Sequence, residues 1–199
     1  MASVLLVCLA SYLLGSIPNG LVFGKLIWHV DLREYGSHNI GATNAWRTLG
    51  KGPGFLIFLL DFLKGALSVG LAEVFVPLPL VMVIAGILAI VGHSCSLFLH
   101  FKGGKGVATG LGVIAMLMPL PSLIVFLVWL AIVMVTKYVS LGSCIAAALV
   151  PILSYAWGYP GAYTAFGVLA AAFIIIRHKA NIVRLMNGTE NKIHAGHRD

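Results

Sequence analysis

Lys105 stands inside a run of glycines, "FKGGKGVATGLG" from Phe101 to Gly112. Glycine removes the side chain so that backbone can approach a ligand, and lysine supplies charge. Just ahead of an apolar helix, the two favour an anion held on bare N–H groups at the positive end of the helix dipole. The run is not a Walker A loop, which needs G-x-x-x-x-G-K followed by Ser or Thr. Gly106 follows Lys105 and Leu99 occupies the first glycine position, so a nucleotide is not implied. A flexible basic loop at lipid headgroups is the plainer alternative. Three glycines flanking one lysine (Gly103, Gly104 and Gly106) favour the cradle.

A second stretch, "YGSHNIGATNAWRTLGKG" (Tyr35 to Gly52), packs the short donors Ser37, Asn39, Thr43 and Asn44 among glycines. A helix beginning near Thr43 carries Arg47 one turn on and on the same face. Arg matches phosphate or carboxylate with two parallel hydrogen bonds. A polar turn with an Arg at the headgroups does not account for so many small donors. A third, "RHKANIVRLMNGTENKI" (Arg177 to Ile193), read as one helix, puts Arg177, Asn181 and Arg184 on a shared face with His178 at its edge. Alone, it reads equally as a basic amphipathic helix on anionic lipid. A fourth, "GSIPNGLVFGK" (Gly15 to Lys25), places glycines and a proline inside an apolar run. Close helix packing accounts for Gly15 and Gly20 better than for Asn19.

Asp61 and Lys64, in "DFLKG", are three residues apart and pair on one helix face as a structural ion pair or as support for a site. His93 reads first as a packing histidine. Ser143 either reaches the site or bonds its own backbone. Phe98 stands where the acid of a His-x₄-Asp pair beginning at His93 would be, and the six acidic residues are scattered, so no carboxylate cluster for Mg²⁺ is readable. No metal site and no protein nucleophile is expected. Cys8, Cys95 and Cys144 fall in three separate apolar stretches and are expected to be free.

These residues need a scaffold, and the composition names it. The 199-residue chain is 60% hydrophobic and only 10% charged, against about 25% charged in soluble domains. One polytopic membrane domain over residues 1–199 is expected. Its first apolar run lacks the positive start of a signal peptide, since the first Lys or Arg is Lys25. Seven transmembrane helices follow from apolar runs at about 3–24, 54–73, 78–98, 107–118, 121–136, 140–157 and 161–176. The fourth and fifth are short and meet at the two prolines of "MPLP". Twelve of the thirteen Lys and Arg, Arg198 among them, then lie on one side. The positive-inside rule puts the N-terminus outside and the C-terminus in the cytoplasm, with the polar loops on the cytoplasmic face.

Taken together, "GSIPNGLVFGK", "GSHNIGATNAWR" and "GHSCSLFLHFKGGKGVATG", followed by "RHKANIVRLMNGTE", resemble the motifs of the bacterial membrane glycerol-3-phosphate acyltransferases that use acyl phosphate, the PlsY family. Two departures are visible. His38 stands where that family commonly has glycine, and Cys95 and Ser96 stand where it commonly has an aromatic and proline. The resemblance implies transfer of an acyl group from acyl phosphate to glycerol 3-phosphate, giving lysophosphatidic acid and phosphate. It implies the inner membrane, no cofactor, no metal, no nucleic acid and no obligate protein partner besides membrane lipid.

On that resemblance, Gly103, Gly104, Lys105 and Gly106 cradle the acyl phosphate with Asn39, Thr43 and Ser143, and Asn44 adds a substrate contact. Ser37, Arg47 and Lys105 take the phosphate of glycerol 3-phosphate, while His178 and Asn181 orient its hydroxyls. Lys105, Arg47 and His178 are the expected catalytic residues. The hydroxyl proton goes to the leaving phosphate oxygen or to His178. Such chemistry suits the residues, because catalysis reduces to positioning two anions and compensating their charge. A transporter for a phosphorylated metabolite and an acyl-CoA-dependent acyltransferase are the competing readings. No internal repeat or midplane site favours the first, and no adenine pocket is recognisable for the second.

Overall fold

The computed structural model describes residues 1–194, so Arg198 lies outside it. Those residues form ten α-helices and a single 3₁₀ turn. The first apolar run is two helices, α1 (Ala2–Ser16) and α2 (Asn19–Trp28), bent by 43° where Pro18 interrupts the backbone ladder. An amphipathic helix α3 (Ala42–Leu49) turns through Gly50, whose φ of 105° favours glycine, into the long helix α4 (Lys51–Phe75). Next come α5 (Pro79–Ser94), the 3₁₀ turn Leu97–Leu99 and α6 (Val107–Leu117). Helix α7 (Pro119–Thr136) begins after the single residue Met118, and its two prolines sit in its first turn, where a missing N–H costs nothing. Then α8 (Val139–Ala156), α9 (Gly161–Arg177) and α10 (Lys179–Met186) complete the bundle, with a 61° bend between the last two.

Helices α4, α7 and α8, and α5 continued through the 3₁₀ turn to Leu99, are each long and apolar enough to cross a membrane, and the bent pairs α1–α2 and α9–α10 qualify as two more. Helix α6 is apolar but has only 11 residues. The expected hairpin at "MPLP" is therefore the junction of a short helix with a full-length one.

Glycine sets the closest helix approaches. Gly15 of α1 lies against the Ala89 backbone of α5, and Gly92 of α5 lies against the Tyr12 backbone of α1. Gly65 of α4 and Gly112 of α6 make the same reciprocal contact, on Thr109 and Phe62. A Cβ at any of the four would collide with the facing backbone. Small residues are how apolar helices pack tightly without a hydrophobic drive between them. The main core fills the end of the bundle away from Lys105, around Val69, Val113, Met118 and Phe166.

A buried polar network repairs the broken first span. The Lys64 ammonium donates to the Ile17 carbonyl at 2.8 Å and pairs with Asp61 at 3.0 Å. Asn19 donates to Asp61 at 3.0 Å, and the Ser96 hydroxyl donates to the Ser16 carbonyl at 2.6 Å. Packing thus accounts for Gly15, while Asn19 is there for Asp61. The three cysteines are free and half-buried.

Candidate active site

The loop before α3 is built around Asn44. Its side-chain nitrogen lies within 3.0 Å of the carbonyls of Leu32, Tyr35 and Asn39, and its oxygen accepts the Ser37 N–H. Asn44 faces the cavity, but its amide is committed to the loop, so it acts on the site by holding Ser37 and Asn39 in place. Asn39 caps its own turn by accepting the Gly41 N–H. Ser37, Asn39 and Thr43 line the cavity. His38 takes φ 54°, a left-handed conformation that suits glycine, and its ring is held by the Arg33 carbonyl at 2.9 Å.

The glycine run divides in two. Gly106 has φ 81° and caps α6, and it lines the cavity with Val107 and Ala108 of the first turn. N–H groups of that first turn have no partner inside the helix. Gly103 and Gly104 stand behind the wall and do not line the cavity. The Gly104 N–H donates to the His93 carbonyl at 3.1 Å, and a Cβ at Gly104 would collide with the His93 ring. Their glycine is required by packing on α5. His93 itself faces Asp61 at 3.6 Å, and both residues reach the cavity wall.

The third stretch is two helices rather than one. Arg177 ends α9, and its guanidinium donates to the Gly104 carbonyl at 3.0 Å, bracing the glycine run from outside. Past the bend, α10 presents Asn181 and Arg184 to the cavity. His178 sits at the bend, buried, with its Nδ1 at 2.8 Å from the Ile174 carbonyl. A carbonyl only accepts, so the neutral ring carries its proton on Nδ1 and leaves Nε2 as the acceptor.

Glu190 is the residue that sequence reasoning missed. Its carboxylate is buried and accepts from Ser140 at 2.8 Å, Asn181 at 2.6 Å and Arg184 at 2.7 Å. With its nitrogen turned to Glu190, Asn181 turns its oxygen to the Lys105 ammonium. Arg47 donates to the Asn191 carbonyl at 2.7 Å, while its Nε has no partner among the described residues. The segment after α10 therefore straps the mouth, and the Ile193 N–H pins it to the Lys137 carbonyl at 2.8 Å. The Ser143 hydroxyl lines the cavity but donates to Val139 of its own helix at 2.9 Å.

Charge in this mouth is unbalanced. Arg47, Lys105 and Arg184 gather there with the carboxylate of Glu190, while the cavity's other carboxylate, Asp61, is already answered by Lys64. That is a surplus of two positive charges, the charge of one phosphate dianion. Burial drives the Lys105 ammonium below its ordinary pKa; Glu190 pulls it back up, and Arg184 and Arg47 push it further down. Arg47 is lowered by burial first, and Arg184 adds to it. Burial alone would raise Glu190, but the hydrogen bonds from Asn181, Ser140 and Arg184 outweigh it and keep the carboxyl below its ordinary value.

Below the mouth the lining turns apolar, with Leu111 and Ile114 of α6, Phe126 and Trp129 of α7, and Ala147 and Ala171 of α8 and α9. A cationic mouth over an apolar groove suits a molecule with an anionic head and a hydrocarbon tail. The glycerol-3-phosphate acyltransferase family model matches residues 5–188. The chain belongs to the glycerol-3-phosphate acyltransferase family. As a member of it, the chain is an integral membrane acyltransferase. It is 47% identical to the glycerol-3-phosphate acyltransferase of Syntrophomonas wolfei, over 96% of both chains, and 44% identical to that of Desulforamulus reducens, over 94% of both. Its fold matches the crystal structure of PlsY, an integral membrane glycerol 3-phosphate acyltransferase, in the glycerol 3-phosphate form. The TM-score is 0.92 at 42% identity, over 96% of each chain. The lysophosphatidic acid form of PlsY matches at a TM-score of 0.89 and 41% identity, over 96% of this chain and 95% of that one.

Proposed function

We propose that this acyltransferase takes its acyl group from acyl phosphate and places it on the sn-1 hydroxyl of glycerol 3-phosphate. The observation that carries the reading is the convergence of Arg47, Lys105 and Arg184 around one carboxylate at the head of an apolar groove. Both substrates bear phosphate. Held close together without cations, the two would repel strongly in a low-dielectric site.

In this scheme Ser37, Arg47 and Lys105 hold the phosphate of glycerol 3-phosphate. Gly106 and the first turn of α6 receive the acyl phosphate, helped by Asn39 and Thr43, with Ser143 beside them. Gly103 and Gly104 act through His93 and Arg177, by fixing the loop that presents Lys105 and Gly106. His178 and Asn181 orient the glycerol hydroxyls. The sn-1 oxygen attacks the acyl carbonyl carbon, and the bond from that carbon to the phosphate oxygen breaks. The hydroxyl proton passes to the departing phosphate oxygen, or to Nε2 of His178. The products are 1-acyl-glycerol 3-phosphate, phosphate and the unchanged enzyme. The protein's cations stabilise the charge that builds on the leaving phosphate.

We also propose seven spans, with α1 and α2 counted as one and the short α6 included. The N-terminus is then outside, and the C-terminal segment and the site face the cytoplasm across a bacterial inner membrane. Support comes from the basic residues, which gather at the end of the bundle that holds the mouth.

The deciding experiment is a donor swap. Purified protein, treated with chelator, is given labelled glycerol 3-phosphate with either palmitoyl phosphate or palmitoyl-CoA. Lysophosphatidic acid from the phosphate donor alone is the expected result. Product from the CoA donor alone overturns the donor assignment. A His178→Ala variant that stays within a few-fold of wild type assigns the proton to the leaving phosphate.

A further inference from the structure

The groove has a closed inner end. On α8 the lining stripe runs from Ser140 down to Val150, and a second runs from His178, at the bend that ends α9, down that helix to Gly167. At a rise of 1.5 Å per residue the two stripes are about 15 and about 16 Å deep. The hydrocarbon core of a bilayer is about 30 Å thick, so one leaflet supplies about 15 Å. The groove is as deep as one leaflet of the membrane around it. Its upper walls are kept open by small residues, Ala146 and Ala147 on α8, Ala170 and Ala171 on α9, and Gly110 on α6.

Below Val150 and Gly167 the room ends in packed core. Leu117, Met118, Tyr163 and Phe166 are buried there in the same cluster that contains Ile114, Val125 and Val150. Helices α8 and α9 meet at this level, where a Cβ on Gly167 would lie 3.1 Å from the backbone of Pro151. A wall packed to crystalline density does not recede to admit extra methylenes.

We propose that this floor, formed by Ile114, Val125 and Val150 with Gly167, is a ruler that sets the longest acyl chain the enzyme accepts. This rests on the reading that the groove holds the donor's acyl tail. A chain that fills one leaflet with the bends it has in a bilayer, such as palmitoyl, reaches the floor in the same bent form, since fully extended it is longer than the groove is deep. A shorter chain leaves apolar wall uncovered and binds about four-fold more weakly per missing methylene. A longer one meets the core.

The test measures turnover on octanoyl, palmitoyl and arachidoyl phosphate in wild type and two variants. Its readout is the ratio of rates within each protein, because a general loss of active enzyme leaves ratios unchanged. Wild type prefers palmitoyl and falls off sharply at arachidoyl. Ala147→Phe fills the groove about 10 Å below Ser140 and raises the octanoyl-to-palmitoyl ratio at least ten-fold. Val150→Ala lowers the floor and raises the arachidoyl-to-palmitoyl ratio several-fold; this arm stands alone should the bulky variant not fold. Ratios that match wild type in active variants, or a wild type indifferent to chain length, overturn the ruler. If wild type uses only acyl-CoA, the donor reading falls instead, and the same series run with acyl-CoA decides the ruler on the same ratios.

Discussion

Two polar clusters lie inside this apolar bundle, and they are balanced differently. In the first, Asp61 meets Lys64, and Asn19, the Ile17 carbonyl and His93 surround the pair. One charge answers one charge, and the ammonium also repairs a broken helix. In the second, three cations face one carboxylate, and Arg47 reaches only a carbonyl. The first cluster is balanced in charge as it stands and belongs to the architecture, with Asp61 and His93 also reaching the cavity wall. The second is complete only when an anion arrives. Burial does not separate a structural charge from a functional one here; the local surplus does.

The largest expected effect breaks the balanced cluster. Asp61→Asn leaves the Lys64 ammonium buried and unpaired, which costs about 3–5 kcal/mol. Thermal unfolding in detergent should show a large loss of stability. The double variant Asp61→Asn with Lys64→Met removes the orphaned charge and recovers a substantial part of it. If the double variant is no more stable than the single, the pair is not the balanced unit described here.

The surplus cluster is expected to respond in rate before stability. Lys105→Ala removes a cation that sits between Asn181 and the cavity, and should lower kcat/KM by about 10²- to 10³-fold. Its unfolding temperature should hold or rise, since one of three mutually repelling cations is gone. The same residue should set an alkaline limit. Its pKa is lowered, chiefly by burial, so raising the pH strips its proton below the ordinary lysine range. An approaching phosphate then loses a charge partner, and KM for glycerol 3-phosphate climbs with pH. Lys105→Arg stays charged throughout and should flatten that rise in a pH series of KM, whatever it does to kcat. A rise that persists in the arginine variant assigns the alkaline limit to another group.

Much of the balanced cluster was readable from sequence, because its key pair is local. Asp61 and Lys64 are three residues apart on one continuous apolar helix, and periodicity alone pairs them. Arg47 on a helix starting near Thr43, and Gly106 at the head of α6, were readable for the same reason. The surplus cluster was read only in part. Glu190 bonds Ser140, fifty residues away, across two helices, and nothing local marks it except the turn "NGTE", where Gly188 takes φ 70°. In sequence Arg177 groups with Asn181, since no Pro or Gly announces the 61° bend between them. Gly103 and Gly104 read in sequence as part of an anion cradle, and a glycine needed for packing on His93 looks the same there as one needed for an anion.

The smallest effect concerns a residue outside both clusters. His38 holds φ 54° at a position where the family motif commonly has glycine. A side chain in that conformation costs about 1 kcal/mol or more relative to glycine. Part of this is offset by the ring's bond to the Arg33 carbonyl. The adjacent Ser37 N–H is already fixed by Asn44, so the loop does not depend on the imidazole for its shape. His38→Gly should therefore raise the unfolding temperature by no more than about 2–4 °C and leave KM for glycerol 3-phosphate within about two-fold. A clear fall in stability would mean that the Arg33 bond outweighs the strain. A large change in KM would place His38 in the surplus cluster, with its ring aimed at the substrate phosphate rather than at the loop.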